Sequence, residues 1–156
     1  MGTAEKQVAL VTGGSRGIGR AISIALAADG RHVIVNFRSQ RERAEEVVAE
    51  IESQGGTGEI CGFDVADAKD TGQALEGLYE KHPQIDVLVN NAGITRDTLF
   101  VFMKSEEWQQ VIDTNLTGFY NVTRIVTKKM LLKRAGRIVN ISSTAGQLGQ
   151  AGQGNY

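Results

Sequence analysis

Val8-Ala9-Leu10-Val11 is a short, uninterrupted apolar run that passes directly into Thr12-Gly13-Gly14-Ser15-Arg16-Gly17-Ile18-Gly19, after which apolar residues recur at helical spacing. A run of that length bounded by glycines reads as a buried strand, and the glycines let the chain reverse tightly into a helix. Three glycines alone would describe any tight strand-to-helix turn. Between a strand and a helix they also allow a pyrophosphate to approach the backbone, where the N–H groups of the helix N-terminus meet its charge. The spacing departs from G-x-G-x-x-G. Gly13, Gly14, Ser15, Arg16, Gly17, Ile18 and Gly19 are thus candidate dinucleotide-binding residues.

The same alternation continues along the chain. Apolar runs at Val8–Val11, Val33–Val35, Ile60–Phe63, Ile85–Val89 and Ile138–Ile141 are separated by segments of helical period, the pattern of βαβ units in a parallel sheet covered on both faces. Ile18, Ala21, Ile22, Ala25 and Leu26 share one helical face, as do Ala44, Val47, Val48 and Ile51, and then Thr71, Leu75, Leu78 and Tyr79. A longer helix is expected from Ser105 as N-cap through Trp108, Val111, Ile112, Phe119, Val122 and Val126 towards Lys133. Right-handed crossovers and a phosphate loop after the first strand predict an open, doubly wound α/β sheet of order 3-2-1-4-5 in a single domain over residues 1–156. The second half of such a sheet has only two strands here. The Ile138–Ile141 strand is therefore expected at an edge, and the natural polypeptide is expected to continue past Tyr156.

Composition excludes several classes. A net charge of -1 offers no global field for nucleic acid or an anionic membrane, and no stretch approaches a membrane span. The start lacks an apolar signal core, so a cytoplasmic protein is expected. Cys61, the only cysteine, reads as a buried strand residue, and disulfides within the chain are excluded. His32 precedes the second strand and His82-Pro83 marks a turn, so no metal-ligand spacing and no hydrolase triad is expected.

Several separated motifs stand in one order: Thr-Gly-x-x-x-Gly-x-Gly at Thr12–Gly19, Asn90-Asn91-Ala92-Gly93 after the fourth strand, Asn115 in the long helix, and Ser143 with Tyr156 thirteen positions on. Together they resemble the short-chain dehydrogenase/reductases, whose fold is a Rossmann-type sheet. The resemblance covers essentially the whole chain. Gly93-Ile94-Thr95-Arg96-Asp97 and Gly136-Arg137-Ile138-Val139-Asn140-Ile141-Ser142-Ser143 further make it similar to the 3-oxoacyl-(acyl-carrier-protein) reductases within that family.

The resemblance implies that Ser143 hydrogen-bonds a substrate carbonyl, that Tyr156 donates a proton as hydride arrives from a nicotinamide, and that Asn115 holds a water of the proton relay. It also implies that Asp64 and Val65 read the adenine ring and that Asn91, Ala92 and Gly93 line the cofactor pocket; Asp64 could equally cap the next helix. Asn36-Phe37-Arg38-Ser39 offers no carboxylate for a ribose 2′-OH but does offer a cation, which favours NADP(H), with Arg16, Arg38 and Ser39 meeting the 2′-phosphate. Tyr156 would bind cofactor as well as act.

Where the family motif is Tyr-x-x-x-Lys, this sequence ends at the tyrosine. A phenol with an ordinary pKa of about 10 is a poor proton donor near neutrality without a neighbouring cation. The chain alone is therefore expected to be inactive. The function expected of the full-length parent is NADPH-dependent reduction of a 3-oxoacyl thioester on an acyl carrier protein. Reduction of acetoacetyl-CoA or another ketone, and a non-catalytic NADP(H)-binding or assembly module, stay open beside it. Lys128, Lys129, Lys133, Arg134 and Arg137 either compensate a helix C-terminus or dock an acidic carrier protein. Apolar residues on more than one side of the long helix, including Leu116, Tyr120 and Ile125, predict self-association, by resemblance into a homotetramer.

Overall fold

The computed structural model describes residues 6–156. Five parallel strands, β1 (Val8–Val11), β2 (His32–Phe37), β3 (Thr57–Gly62), β4 (Val87–Asn90) and β5 (Arg137–Asn140), form one sheet of order β3-β2-β1-β4-β5. The crossovers are α1 (Gly17–Ala28), α2 (Arg41–Ser53), α3 (Ala68–Lys81) and the pair α4 (Ser105–Ile112) and α5 (Gly118–Lys133). A four-residue helix, α6 (Ala145–Leu148), follows β5. Among the described residues no helix is long and apolar enough to cross a membrane.

The pleat divides the strand residues between two cores. Val8, Leu10, Ile34 and Leu88 pack with Leu75 and Leu78 of α3 and Val122 and Val126 of α5. Ala9, Val11, Val33, Val35 and Val89 point the other way, against Ala27 of α1 and Ala44, Val47 and Ile51 of α2. This alternation is why the central strands read as unbroken apolar runs: both faces are buried. Each fully buried Leu or Ile contributes about 1.5–3 kcal/mol.

Several boundaries and faces differ from the sequence reading. β3 begins at Thr57 rather than Ile60, because its backbone ladder to β2 starts at the His32–Thr57 pair. Ile85 is buried but precedes β4, whose approach is fixed by the Asp86 carboxylate accepting the Val8 N–H at 2.8 Å. The buried residues of α1 are Gly19, Ser23 and Ala27, whereas Ile18 is 63% exposed. Small residues are required there, because a Cβ on Gly19 would overlap the Gly13 carbonyl oxygen and the Asn91 amide. Phe119 and Trp108, expected on the buried face of one long helix, are 39% and 41% exposed. The expected helix is two helices joined by a π turn, Asp113–Thr117, which rotates the faces out of a single stripe. Lys104 rather than Ser105 stands at the N-cap of α4, and the Glu107 carboxylate accepts the Lys104 N–H at 2.9 Å.

The helix after β3 is capped by Asp67, which accepts the Lys69 and Asp70 N–H groups at 2.8 and 3.0 Å. These bonds favour the ionised carboxylate and lower its pKa. Asp64, the alternative cap, instead accepts the Ala66 N–H at 2.9 Å in a tight local turn. Cys61 is half-buried, and burial pushes its thiol up to about 11, so it is not a thiolate at neutral pH. The sequence shows no metal-ligand spacing, yet the parallel register brings His32, Glu59 and His82 together at the amino end of the sheet.

Candidate active site

At the carboxyl end of the strands two cavities, of about 540 and 720 Å³, share Arg16, Ile18, Val65, Asn91, Ala92, Gly93 and Ile94, and so form one continuous groove. Its first part is lined by Gly13, Ser15, Gly17, Gly19, Arg38, Ser39 and Asp64. Its second part is lined by Asn115, Ser143 and Tyr156. The predicted cofactor and catalytic residues thus fall at the two ends of one crevice, with Gly14 as an exception. Gly14 packs inward on Ser23, Val11 and Val35, and its N–H donates to the Asn36 carbonyl at 2.9 Å.

The geometry of the glycine loop is compatible with an anion. Gly13 and Gly17 adopt φ of 61° and 53°, left-handed values that a side chain resists. No side chain caps α1 and no acid stands in its first turn, unlike α3 with Asp67 and α4 with Glu106 and Glu107. The positive end of the α1 dipole therefore faces the groove without a protein anion to offset it.

Buried polar side chains hold this loop. The Asn36 carboxamide oxygen accepts the Gly13 N–H at 3.0 Å, and its nitrogen donates to the carbonyls of Cys61 and Phe63 at 3.2 and 3.1 Å. Thr12 Oγ1 accepts the N–H groups of Asn91 and Ala92, both at 3.0 Å, while Asn91 Nδ2 donates to the carbonyls of Thr12 and Gly13 at 2.9 and 3.1 Å. Asn91 is therefore a brace between β1 and β4 as well as a wall of the groove. Asn36 and Thr12 stood in the motifs read from the sequence, but their bracing role did not. For Asn36, a polar residue inside the otherwise apolar β2 run was the available signal.

In the first part of the groove, Arg38 Nη1 lies 3.8 Å from Asp64 Oδ2. The pair is largely exposed, so it contributes little to stability, but it keeps the guanidinium at the mouth of the groove.

At the other end the π turn directs Asn115 across the groove. Its side chain clasps Ile94 on both sides, accepting the Ile94 N–H at 2.9 Å and donating to the Ile94 carbonyl at 3.0 Å. Gly93 sits against this amide, where an added Cβ would lie 3.4 Å from Asn115 Oδ1. Asn115 thus secures the turn leaving β4. Ser143 Oγ accepts the Ala145 N–H at 3.1 Å, which leaves its own O–H free to donate.

Tyr156 is held by a folded loop. The Thr98 N–H donates to the Gly152 carbonyl at 2.8 Å, Gln153 Nε2 to Asp97 Oδ2 at 3.0 Å, and buried Asn155 Nδ2 to the Arg96 carbonyl at 3.2 Å. Tyr156 itself is 43% exposed beside the groove. Asn155 is a further positioning residue absent from the sequence reading.

A family described as short chain dehydrogenase matches residues 7–156 of this chain. The protein named 3-oxoacyl-(acyl-carrier-protein) reductase of a Synechocystis species is 53% identical over 150 residues, covering 96% of this chain and 61% of that protein. Proteins of the same name from Staphylococcus aureus and Staphylococcus epidermidis are 47% and 45% identical over 148 residues, covering 95% of this chain. The chain spans about 60% of the length of the curated relatives it matches.

Proposed function

The chain belongs to the short-chain dehydrogenase family, and from that membership we propose that the protein reduces the ketone of a 3-oxoacyl thioester, carried on an acyl carrier protein, with NADPH. The observation that carries this reading is the continuous groove joining an uncapped helix N-terminus to Ser143 and Tyr156. The names of the relatives supply the substrate class.

The residues fit a dinucleotide. Amides at the start of α1 would meet the pyrophosphate, and Gly19 keeps that helix close enough to do so. Arg38 would leave Asp64 for a 2′-phosphate, a stronger anion, with Ser39 and Arg16 beside it. When bound, the reduced nicotinamide supplies hydride to the substrate carbonyl carbon. Ser143, with its O–H free, donates a hydrogen bond to the carbonyl oxygen, and Tyr156 gives that oxygen a proton to complete the hydroxyl. Asn115 holds the Ile94 turn that walls the groove.

NADPH oxidation by the full-length protein with an acetoacetyl thioester tests the reaction, and a folded protein that oxidises none would overturn it. Comparing carrier-protein and coenzyme A thioesters separates the proposed carrier from the smaller one; equal kcat/KM for both would remove the carrier protein. Arg38→Ala should weaken NADPH by about 1–3 kcal/mol and NADH little. Equal loss for both would refute the 2′-phosphate contact.

Assembly into a homotetramer is proposed from α5 and the turn before it, where Leu116, Tyr120 and Leu131 are 61%, 57% and 70% exposed. Sedimentation of the full-length protein as a monomer at micromolar concentration would exclude it.

A further inference from the structure

At the end of the sheet opposite the groove, three side chains from distant parts of the chain converge: His32 opens β2, Glu59 lies in β3, and His82 follows α3. One ligand atom from each lies within 4.8 Å of the other two. His32 Nε2 is 3.7 Å from Glu59 Oε1, and His82 Nε2 bonds the same oxygen. The chain has no other histidines.

Two details distinguish this cluster from a mere hydrogen-bonded network. The His32 Nδ1 is 3.1 Å from Thr57 Oγ1, and an Nδ1–H donated to that hydroxyl leaves the Nε2 lone pair free. Nε2 is nonetheless buried without a hydrogen-bond partner, a state that costs free energy unless another group claims it. A metal ion is such a group. Tetrahedral zinc with bonds of about 2.0–2.2 Å sets its ligand atoms about 3.4 Å apart; His32 Nε2 and Glu59 Oε1 are near that spacing at 3.7 Å, and the His82–Glu59 hydrogen bond would open to admit the ion. Glu59 Oε2 is 3.0 Å from the Lys81 ammonium, so the carboxylate has only Oε1 to give, and the nearby positive charge opposes a cation. That repulsion limits affinity without blocking the position.

We propose that His32, Glu59 and His82 form a binding site for a divalent transition-metal ion of the zinc class, with two imidazoles and one carboxylate as ligands and water completing the shell. The ion would pin β2, β3 and the end of α3 together, far from the groove, and its role is structural. This inference does not depend on the proposed reaction.

The test is titration of the full, tag-free protein with Zn²⁺ alone, read by calorimetry and by thermal melting. One ion should bind in the micromolar range and raise the melting temperature, whereas Mg²⁺ should do neither. His32→Gln, His82→Ala and Glu59→Gln should each weaken binding at least about tenfold, since each removes one of three ligands. Cys61→Ser should leave it unchanged, and Lys81→Gln should bind at least as tightly as the parent. Zn²⁺ should also protect His32 and His82 of the unaltered protein from acylation, a readout that needs no variant to fold. Affinity weaker than about 100 µM, binding that survives loss of either histidine, dependence on Cys61, or loss of binding in Lys81→Gln would each overturn the site.

Discussion

The two flanks of the sheet are finished differently. In β1 and β2 the inner residues are buried on both faces, because the α1 and α2 crossovers lie on one face and α3 and α5 on the other. β5, an edge strand, is less covered among the described residues. Ile138 and Val139 are 37% and 46% exposed, and β5 is followed by the four-residue α6 and a loop that turns onto Asp97–Phe100. That loop carries Tyr156 to the groove that Ser143 also lines. Packing specifies the strands around β1, and polar positioning specifies the loop after β5.

Substitutions should expose that contrast, the largest effects falling on the packed flank. Gly19→Val forces a side chain into the Gly13 carbonyl and Asn91 amide, and is expected to cost more than about 4 kcal/mol and to abolish nucleotide binding, by thermal unfolding and cofactor titration. A stable variant would show that α1 can move away from the sheet. Leu10→Ala, at a fully buried site, should cost about 3–4 kcal/mol, against about 1 kcal/mol for Ile138→Ala in β5. Equal losses in denaturant unfolding would erase the distinction between the flanks.

Among polar groups, Asn36→Ala should cost about 2 kcal/mol, because it orphans the Gly13 N–H and two strand carbonyls, whereas exposed Asn140→Ala should cost about 0.5 kcal/mol. Weakened nucleotide binding should accompany only the first. One further effect reverses sign. Tyr79 has a buried hydroxyl with no partner, and burial pushes its pKa up to about 12. The folded state then holds the proton more tightly than the unfolded chain, so ionisation of this group leaves stability unchanged below pH 10 and lowers it as pH rises towards 12. Tyr79→Phe should gain up to about 1 kcal/mol at neutral pH and flatten alkaline unfolding. A loss of stability would mean that the hydroxyl is satisfied.

Much of this was legible in the residues. Strand order, the glycine loop and the helix faces of α2 and α3 follow from local period and turn chemistry, because burial on two faces imposes apolar runs and crossovers impose helices. The face of α1 was misread because its closest approach to the sheet demands small residues rather than large apolar ones. The π turn left no mark in hydropathy, since one extra residue in a helical turn changes direction without changing composition.

What the sequence by itself determined is the kind of sheet, the end of it at which the groove opens and most of the residues that line that groove. Only the tertiary structure decided which distant polar side chains meet. Asn36 reaches Gly13 and Phe63 across the top of three strands, and His32, Glu59 and His82 converge at the bottom of two. Both depend on the register of parallel strands joined by long crossovers, which fixes neighbours by backbone pairing and not by separation along the chain.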